Sequence, residues 1–422
     1  MIRNIKTLIP WFKQSLVLQP QITHAQNSHI YNESKKILDF SSGQIAVNLG
    51  HNNKHILNGI QEHINSGISY VPSNFSTYQR DKLSDRIIDI SNYKNNSYSK
   101  VLYTNAGADA TESAIFFTRE YFNLNDIKNK YRILSFSKSF HGGSTFAASN
   151  ISGDARCEIK KEFYQMPLES IMPNPKLEDN GDSSLINIEK LLQSGDVASI
   201  LIEGSSGSAG CILYPQNYLY RLKLICEKYN TLMICDEVMS GWGRTGTLFS
   251  HHQHKIEPDI ITTAKAITSG YSQLGAVILN HKIADIFNDN QVRIGLTYSG
   301  HILPCSVANR CLDLYLDPKL NIITNVNDKS NFIKKHANDL VKQYNFIKEY
   351  RNNGMLGCME FNLNSDQKLE QLSNLLLKNN VYCMRIRENI FIAPPLTIEY
   401  QDIIEGFKNM NMAFYEFSQF IK

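Results

Sequence analysis

The chain has 422 residues, enough for two or three domains and a sizeable buried core. Its 42% hydrophobic and 20% charged residues exclude a disordered or fibrous protein. A formal charge of only +3 leaves no electrostatic footprint for nucleic acid or an anionic membrane, and no stretch approaches the roughly 20 apolar residues of a membrane span.

The opening residues lack the apolar run of a signal peptide. Eight cysteines, at 157, 211, 226, 235, 305, 311, 358 and 383, form no Cys-x-x-Cys pair and read as reduced core thiols. A soluble, cytoplasmic enzyme is expected. In chain order, short apolar or β-branched runs at 101–104, 132–136, 199–203, 231–236 and 275–279 predict strands. Between them, 110–122 and 218–229 carry apolar residues at helical spacing. This alternation predicts an α/β fold with a mostly parallel central sheet covered on both faces. Ligands then bind beyond the carboxyl ends of the strands. Residues 167–194, rich in Pro, Asn, Asp and Ser, predict a long surface excursion. From about Pro318 the pattern changes to a long helix, then short strands around 354–361 and 381–393, which predicts a second, smaller domain.

The strongest chemical signal lies between Thr231 and Lys265. A buried strand ends in Asp236 and Glu237, a turn rich in Gly and Arg follows at 241–246, and Lys265 comes after an apolar segment. A carboxylate ending a core strand is costly to bury unless it meets a cation. One account covers both residues: Lys265 forms a Schiff base with pyridoxal phosphate and Asp236 pairs with the protonated pyridine nitrogen. Taken alone, each also has an ordinary reading, Asp236 as a helix cap and Lys265 as a solvated lysine. After the strand at Val101, the small residues Ala106, Gly107 and Ala108 run into a helix, where backbone N–H groups can bind phosphate. That segment is equally readable as a plain helix start capped by Asp109 or Thr111. Three histidines, His251, His252 and His254, follow the Gly-rich turn with no acidic or cysteine partner in view and read as solvated, so no metal site is expected. The 241–246 turn does not join strand to helix directly, so a dinucleotide-binding reading is weak.

Together these segments resemble the class III family of pyridoxal-phosphate aminotransferases, from about Leu38 to Leu396. The matching pieces are 38–43 with Gly50 and His51, 105–110, Phe140 to Gly142, Glu203, Asp236 to Val238, 243–246, 258–260, Lys265, 297–301 and 393–396. The resemblance implies fold type I, with a large cofactor domain over 61–317 and a small α+β domain built from both chain ends, 1–60 and 318–422. It implies that Lys265 is the cofactor lysine and the base that moves the proton, and that Asp236 is the partner of the ring nitrogen. It also implies cofactor contacts from Gly107, Ala108, Phe140, His141, Glu203, Val238 and Met239. Ala108 stands where many relatives have Ser, which leaves backbone donors there. Phe140 takes the place of a ring-stacking aromatic residue. Thr297 matches a threonine that reaches the neighbouring subunit's cofactor, so a homodimer with shared active sites is implied. Gly204, Ala266 and Met239 depart from the family pattern, although none removes a group that the chemistry requires.

For the substrate, relatives acting on ornithine or 4-aminobutyrate carry an Arg and a Glu at the positions of Phe391 and Ser208, so that switch is absent. Arg385 and Arg387 lie near the place where amine:pyruvate aminotransferases position their carboxylate-binding Arg, and Arg385 fits better. Gln44, within 42–45, resembles a residue of 2,2-dialkylglycine decarboxylase that touches the substrate carboxylate, and Ser208 matches a serine that helps to orient it. The expected function is transfer of an amino group from an amine or amino acid to a 2-oxo acid such as pyruvate, by a ping-pong mechanism. The alternatives are a decarboxylating transaminase, an amino-acid racemase, and a binding protein that has lost catalysis.

Overall fold

A computed structural model describes residues 6–11, 20–157 and 169–421. Its centre is a seven-stranded sheet. The strands lie in the order Tyr98–Thr104, Gly275–Asn280, Ile260–Thr263, Leu232–Asp236, Val197–Glu203, Arg132–Phe136 and Glu169–Met172. Gly275–Asn280 runs antiparallel to both of its neighbours, and the other pairings are parallel. Each of the five expected strands is present, with ends that agree to within three residues, and Arg132–Phe136 matches at both ends.

Every residue of Val197–Glu203 and of Leu232–Asp236 is buried, as a parallel strand covered on both faces requires. Alternate side chains serve opposite layers. Leu201 and Ile234 pack with Ala110, Ala114 and Phe117 of the helix Gly107–Leu124. Ile200, Ile202 and Met233 pack on the other side with Leu185 and Ile188, and with Leu219 and Leu222 of the helix Tyr218–Lys228.

Of the expected excursion at 167–194, residues 167 and 168 lie outside the described residues, and the rest is not a plain surface loop. Glu169–Met172 adds an edge strand to the sheet, and Asp182–Leu192 is a helix that buries Leu185, Ile188 and Leu192. The spacing of those three residues is helical, and the polar majority around them belongs to the helix's solvent face.

The chain ends meet in a four-stranded sheet of His24–Gln26, His29–Tyr31, Lys36–Asp39 and Val381–Tyr382, in which Val381 pairs with Leu38. A second small sheet joins Ile347–Asn353, Leu356–Phe361, Asn389–Ile392 and Arg385–Ile386. The fold is therefore α/β with a mostly parallel central sheet and separate small sheets. All eight cysteines are buried.

Candidate active site

A cavity of about 430 Å³ opens at the carboxyl ends of the parallel strands. Its floor is fixed by strand register. Glu203 pairs laterally with Asp236, and Asp236 with Thr262, so the segments following three adjacent strands converge. Lys265 comes three residues after Thr262, at φ +51, and faces the same cavity. This left-handed conformation is uncommon for a residue with a side chain, and such strain is concentrated at functional sites.

Asp236 is 5% exposed and well satisfied. Its Oδ1 accepts from Val238 N at 3.0 Å, and its Oδ2 from His141 Nδ1 at 2.8 Å. Because the carboxylate can only accept, Nδ1 carries the proton. His141 Nε2 is buried with no hydrogen-bond partner among the described residues. Glu203 accepts from Phe140 N and Gly207 N, while burial pushes its carboxyl above the ordinary range. Phe140 is thereby held at the cavity wall. Burial also depresses the Lys265 amine below an ordinary lysine, with Asp236 and Glu203 opposing that shift and Arg156 adding to it. A lysine held this way presents its free amine, the nucleophilic form, at lower pH than usual.

At the opposite end of the cavity, Asn105, Ala106, Gly107 and Ala108 lead into the 18-residue helix Gly107–Leu124. A Cβ on Gly107 would lie 2.9 Å from Val238 Cγ1, and one on Gly142 would lie 2.7 Å from Ala108 Cβ, so both backbones are close-packed around this turn. The cavity thus presents helix N–H groups for an anion at one end, a carboxylate for a protonated ring nitrogen at the other, and an amine at its floor. Those are the complementary groups for pyridoxal phosphate.

Gln44, Ser208 and Met239 also line the cavity. Gln44 lies in a strained loop, with Ser42 at φ +46, Gly43 at φ +66 and Ile45 at φ +56. A β-branched residue at positive φ needs support. Asp39 accepts from Gly43 N at 2.6 Å, while Ser41 and Ser42 donate to the Phe391 and Ala393 carbonyls. The Gly-rich turn braces the same loop. Arg244, fully buried, donates to Ser42 Oγ, Asn48 Oδ1 and the Met355 and Pro394 carbonyls. Asp39 and Arg244 are supporting residues that the sequence motifs contain without singling them out.

Two expectations do not hold. Arg385 does not line the cavity; its guanidinium meets Asp366 at 3.3 Å and the Arg387 carbonyl. Its strand neighbours Met384 and Ile386 instead pack against the buried Ile45, Cys211 and Phe391, and side chains alternate along a strand. The histidines are not all solvated either. His251 is fully buried and meets Glu237 at 3.1 Å, with Cys235 close by. Glu237 also accepts from Ser240 Oγ and His251 N, so this trio is a hydrogen-bonded brace below the site. Thr297 is exposed, outside this cavity, and its carbonyl accepts from Tyr70.

A further cation packs against one of the lining residues, Phe140, in a stretch that carries no motif. The Arg156 guanidinium lies 4.1 Å from the centre of the Phe140 ring, and Trp11 packs edge-on against Phe140 at 6.0 Å. Asp154 holds Arg156 through Nε at 2.9 Å and Nη2 at 3.1 Å. Trp11 also covers Gly143, where an added Cβ would lie 2.5 Å from the indole.

The comparisons with known proteins agree with this geometry. The chain is 28% identical over 390 residues to the acetylornithine/succinyldiaminopimelate aminotransferase of Buchnera aphidicola, covering 92% of this chain and 90% of that one. It is 28% identical to the succinylornithine transaminase of Photorhabdus laumondii, covering 99% of this chain and all of the other. The taurine:2-oxoglutarate aminotransferase of Bifidobacterium kashiwanohense, solved with pyridoxal phosphate and glutamate, superposes with a TM-score of 0.89 over 97% of this chain and 96% of that one, at 27% identity. The family model for class III aminotransferases matches residues 13–414. The chain belongs to the class III aminotransferases, enzymes whose cofactor is pyridoxal phosphate.

Proposed function

We propose that this aminotransferase takes its amino group from a primary amine bearing a distal acid group, an ω-amino carboxylate or sulfonate, and passes it to a 2-oxo acid such as pyruvate or 2-oxoglutarate. The observation that carries the reading is Arg156, whose guanidinium lies 4.1 Å from the centre of the cavity-lining Phe140 ring and is close enough to Lys265 to depress its amine. A guanidinium pinned by Asp154 and an aromatic ring is preorganised to receive a carboxylate or sulfonate. The names of the relatives support the same class, since acetylornithine, succinylornithine and taurine each combine an amine with an acid group.

Pyridoxal phosphate, when bound, supplies an aldehyde that condenses with amines and a ring that stabilises negative charge on the substrate carbon. The residues do the rest. Gly107 and Ala108 N–H groups would hold the phosphate, and Asp236, its carboxylate fixed by His141, would pair with the protonated ring nitrogen. With the cofactor in place, Lys265 Nζ would take the proton from the substrate carbon and hold it for return. Because donor and acceptor use one cavity in turn, the kinetics are ping-pong. Thr297, exposed next to Tyr298 and Tyr70, reaches the neighbouring subunit's site in a homodimer.

A panel of 4-aminobutyrate, taurine and 1-phenylethylamine, each with pyruvate and 2-oxoglutarate, tests this. Acid-bearing donors should bleach the visible absorbance of the holoenzyme fastest. Arg156→Met should lower their efficiency about 10- to 150-fold, the value of one charge-assisted contact, and the neutral amine's only a few-fold. An equal loss for all donors would overturn the role of Arg156. Gln44 and Ser208 in the cavity favour the decarboxylating alternative, which carbon dioxide release from 2-aminoisobutyrate would reveal.

A further inference from the structure

Away from the catalytic cavity, His29 presents an unsatisfied group. It lies on the strand His29–Tyr31, is 5% exposed, and its Nε2 is buried with no hydrogen-bond partner among the described residues. A buried ring nitrogen without a partner is costly, and such groups are uncommon in folded proteins. Nε2 points at two carboxylates on one face of the last helix, Tyr400–Phe420. Asp402 Oδ1 is 3.9 Å away, beyond hydrogen-bond reach, and the three candidate donor atoms of His29, Asp402 and Glu405 all lie within 4.8 Å of one another.

We propose that His29, Asp402 and Glu405 form a site for a divalent transition metal, with zinc or cobalt favoured. One imidazole and two carboxylates are a borderline donor set that suits these ions better than calcium or magnesium. Burial lowers the His29 pKa, which keeps the imidazole in its neutral, metal-binding form. Metal–ligand bonds of about 2.0–2.2 Å require the donors to close by up to about 1 Å. Asp402 and Glu405 stand in the first two turns of the helix, partly exposed, and rotamer changes can supply that movement. Lys36 Nζ, 3.9 Å from Glu405 Oε2 and 46% exposed, already places a cation beside the carboxylates and is free to swing outward.

The bound ion would clamp the N-terminal sheet to the C-terminal helix. His29 pairs across the sheet with Leu38, next to the Asp39 that supports the Gln44 loop. The clamp therefore lies behind the substrate wall rather than in it, and its existence does not depend on which donor the enzyme uses.

The test uses the holoenzyme after chelator treatment and desalting. Titration with cobalt(II) should show one equivalent bound per chain with visible ligand-field bands, and zinc at about 100-fold excess over its Kd should raise Tm by about 3 °C where magnesium does not. His29→Gln should abolish the bands and the Tm response, and Asp402→Asn should weaken cobalt binding at least about tenfold. Should His29→Gln prove unstable, Asp402→Asn, altered at a partly exposed position, decides alone. No cobalt binding, or binding unchanged in Asp402→Asn, overturns the proposal.

Discussion

The floor of the cavity and its outer wall are built differently. Asp236 ends, and Lys265 closely follows, two neighbouring parallel strands that are fully buried, so hydrogen-bond register sets their separation. The directions of Arg385 and Arg156 depend on which side of a short strand or loop they fall. Arg385 sits on a two-residue strand and turns out to Asp366, whereas Arg156 reaches Phe140 from beyond a short helix. Asp236 and Lys265 thus stand on fully buried, paired strands, whereas the two arginines stand on a two-residue strand and a short helical turn.

The floor is broken most completely by Lys265→Ala. With no amine to carry the proton, turnover should fall at least about 10³-fold, and borohydride should no longer fix cofactor to the chain. Steady-state transamination and mass spectrometry of the reduced protein check both. Residual turnover near wild type would detach the chemistry from the sheet ends altogether.

Asp236→Asn is the next largest effect. The amide keeps the size and part of the hydrogen bonding to Val238 N, but it loses the charge that holds the ring-nitrogen proton. The half-reaction with an amino donor should slow about 100-fold or more while cofactor is retained. Stopped-flow absorbance measures this, and unchanged kinetics would make Asp236 a structural residue only.

The same contrast explains what is legible in the sequence. Asp236, Lys265, Gly107 and Phe140 follow strands whose apolar runs are readable, and their order is the family's. Arg385 is misplaced by sequence because strand alternation decides its direction, and no periodicity is visible in a two-residue strand. His251 reads as solvated because its partners Glu237 and Cys235 lie 14 and 16 positions earlier and meet it only after folding. Arg156 lies in a segment with no motif at all, and its approach to the ring is a tertiary event.

The partly buried histidine beside the brace, His252, has a pH signature. Burial, and then the neighbouring His251, hold the His252 pKa down to about 4, against about 6.5 in an unfolded chain. The folded state therefore binds fewer protons between those values. The stability this provides is intact above about pH 6.5 and is lost as pH falls toward 4. His254 and His29, also depressed by burial, add to the same limb. Thermal melts from pH 7.5 to 4.5 should show Tm falling across this window, and His252→Gln should flatten part of the fall. An unchanged slope would place the acid sensitivity at groups other than His252.

Arg385→Ala carries the smallest expected effect and sharpens the account of the wall. Its partner Asp366 is 91% exposed, and an ion pair with one end in water contributes about 0–1 kcal/mol at most. The side chain does not line the cavity, so efficiency should change by no more than about twofold with pyruvate and with an uncharged aldehyde alike. The measurement is kcat/KM for both acceptors alongside a thermal melt. A loss of tenfold or more confined to the acid would mean that Arg385 leaves Asp366 and turns inward when substrate binds, since only a group that touches the anion can discriminate by its charge to that degree. In that event the carboxylate reader is a mobile residue of the small sheet, and Arg156 stands only as a neighbour that depresses the Lys265 amine. Equal, small losses leave the anion to Arg156, pinned between Asp154 and the Phe140 ring.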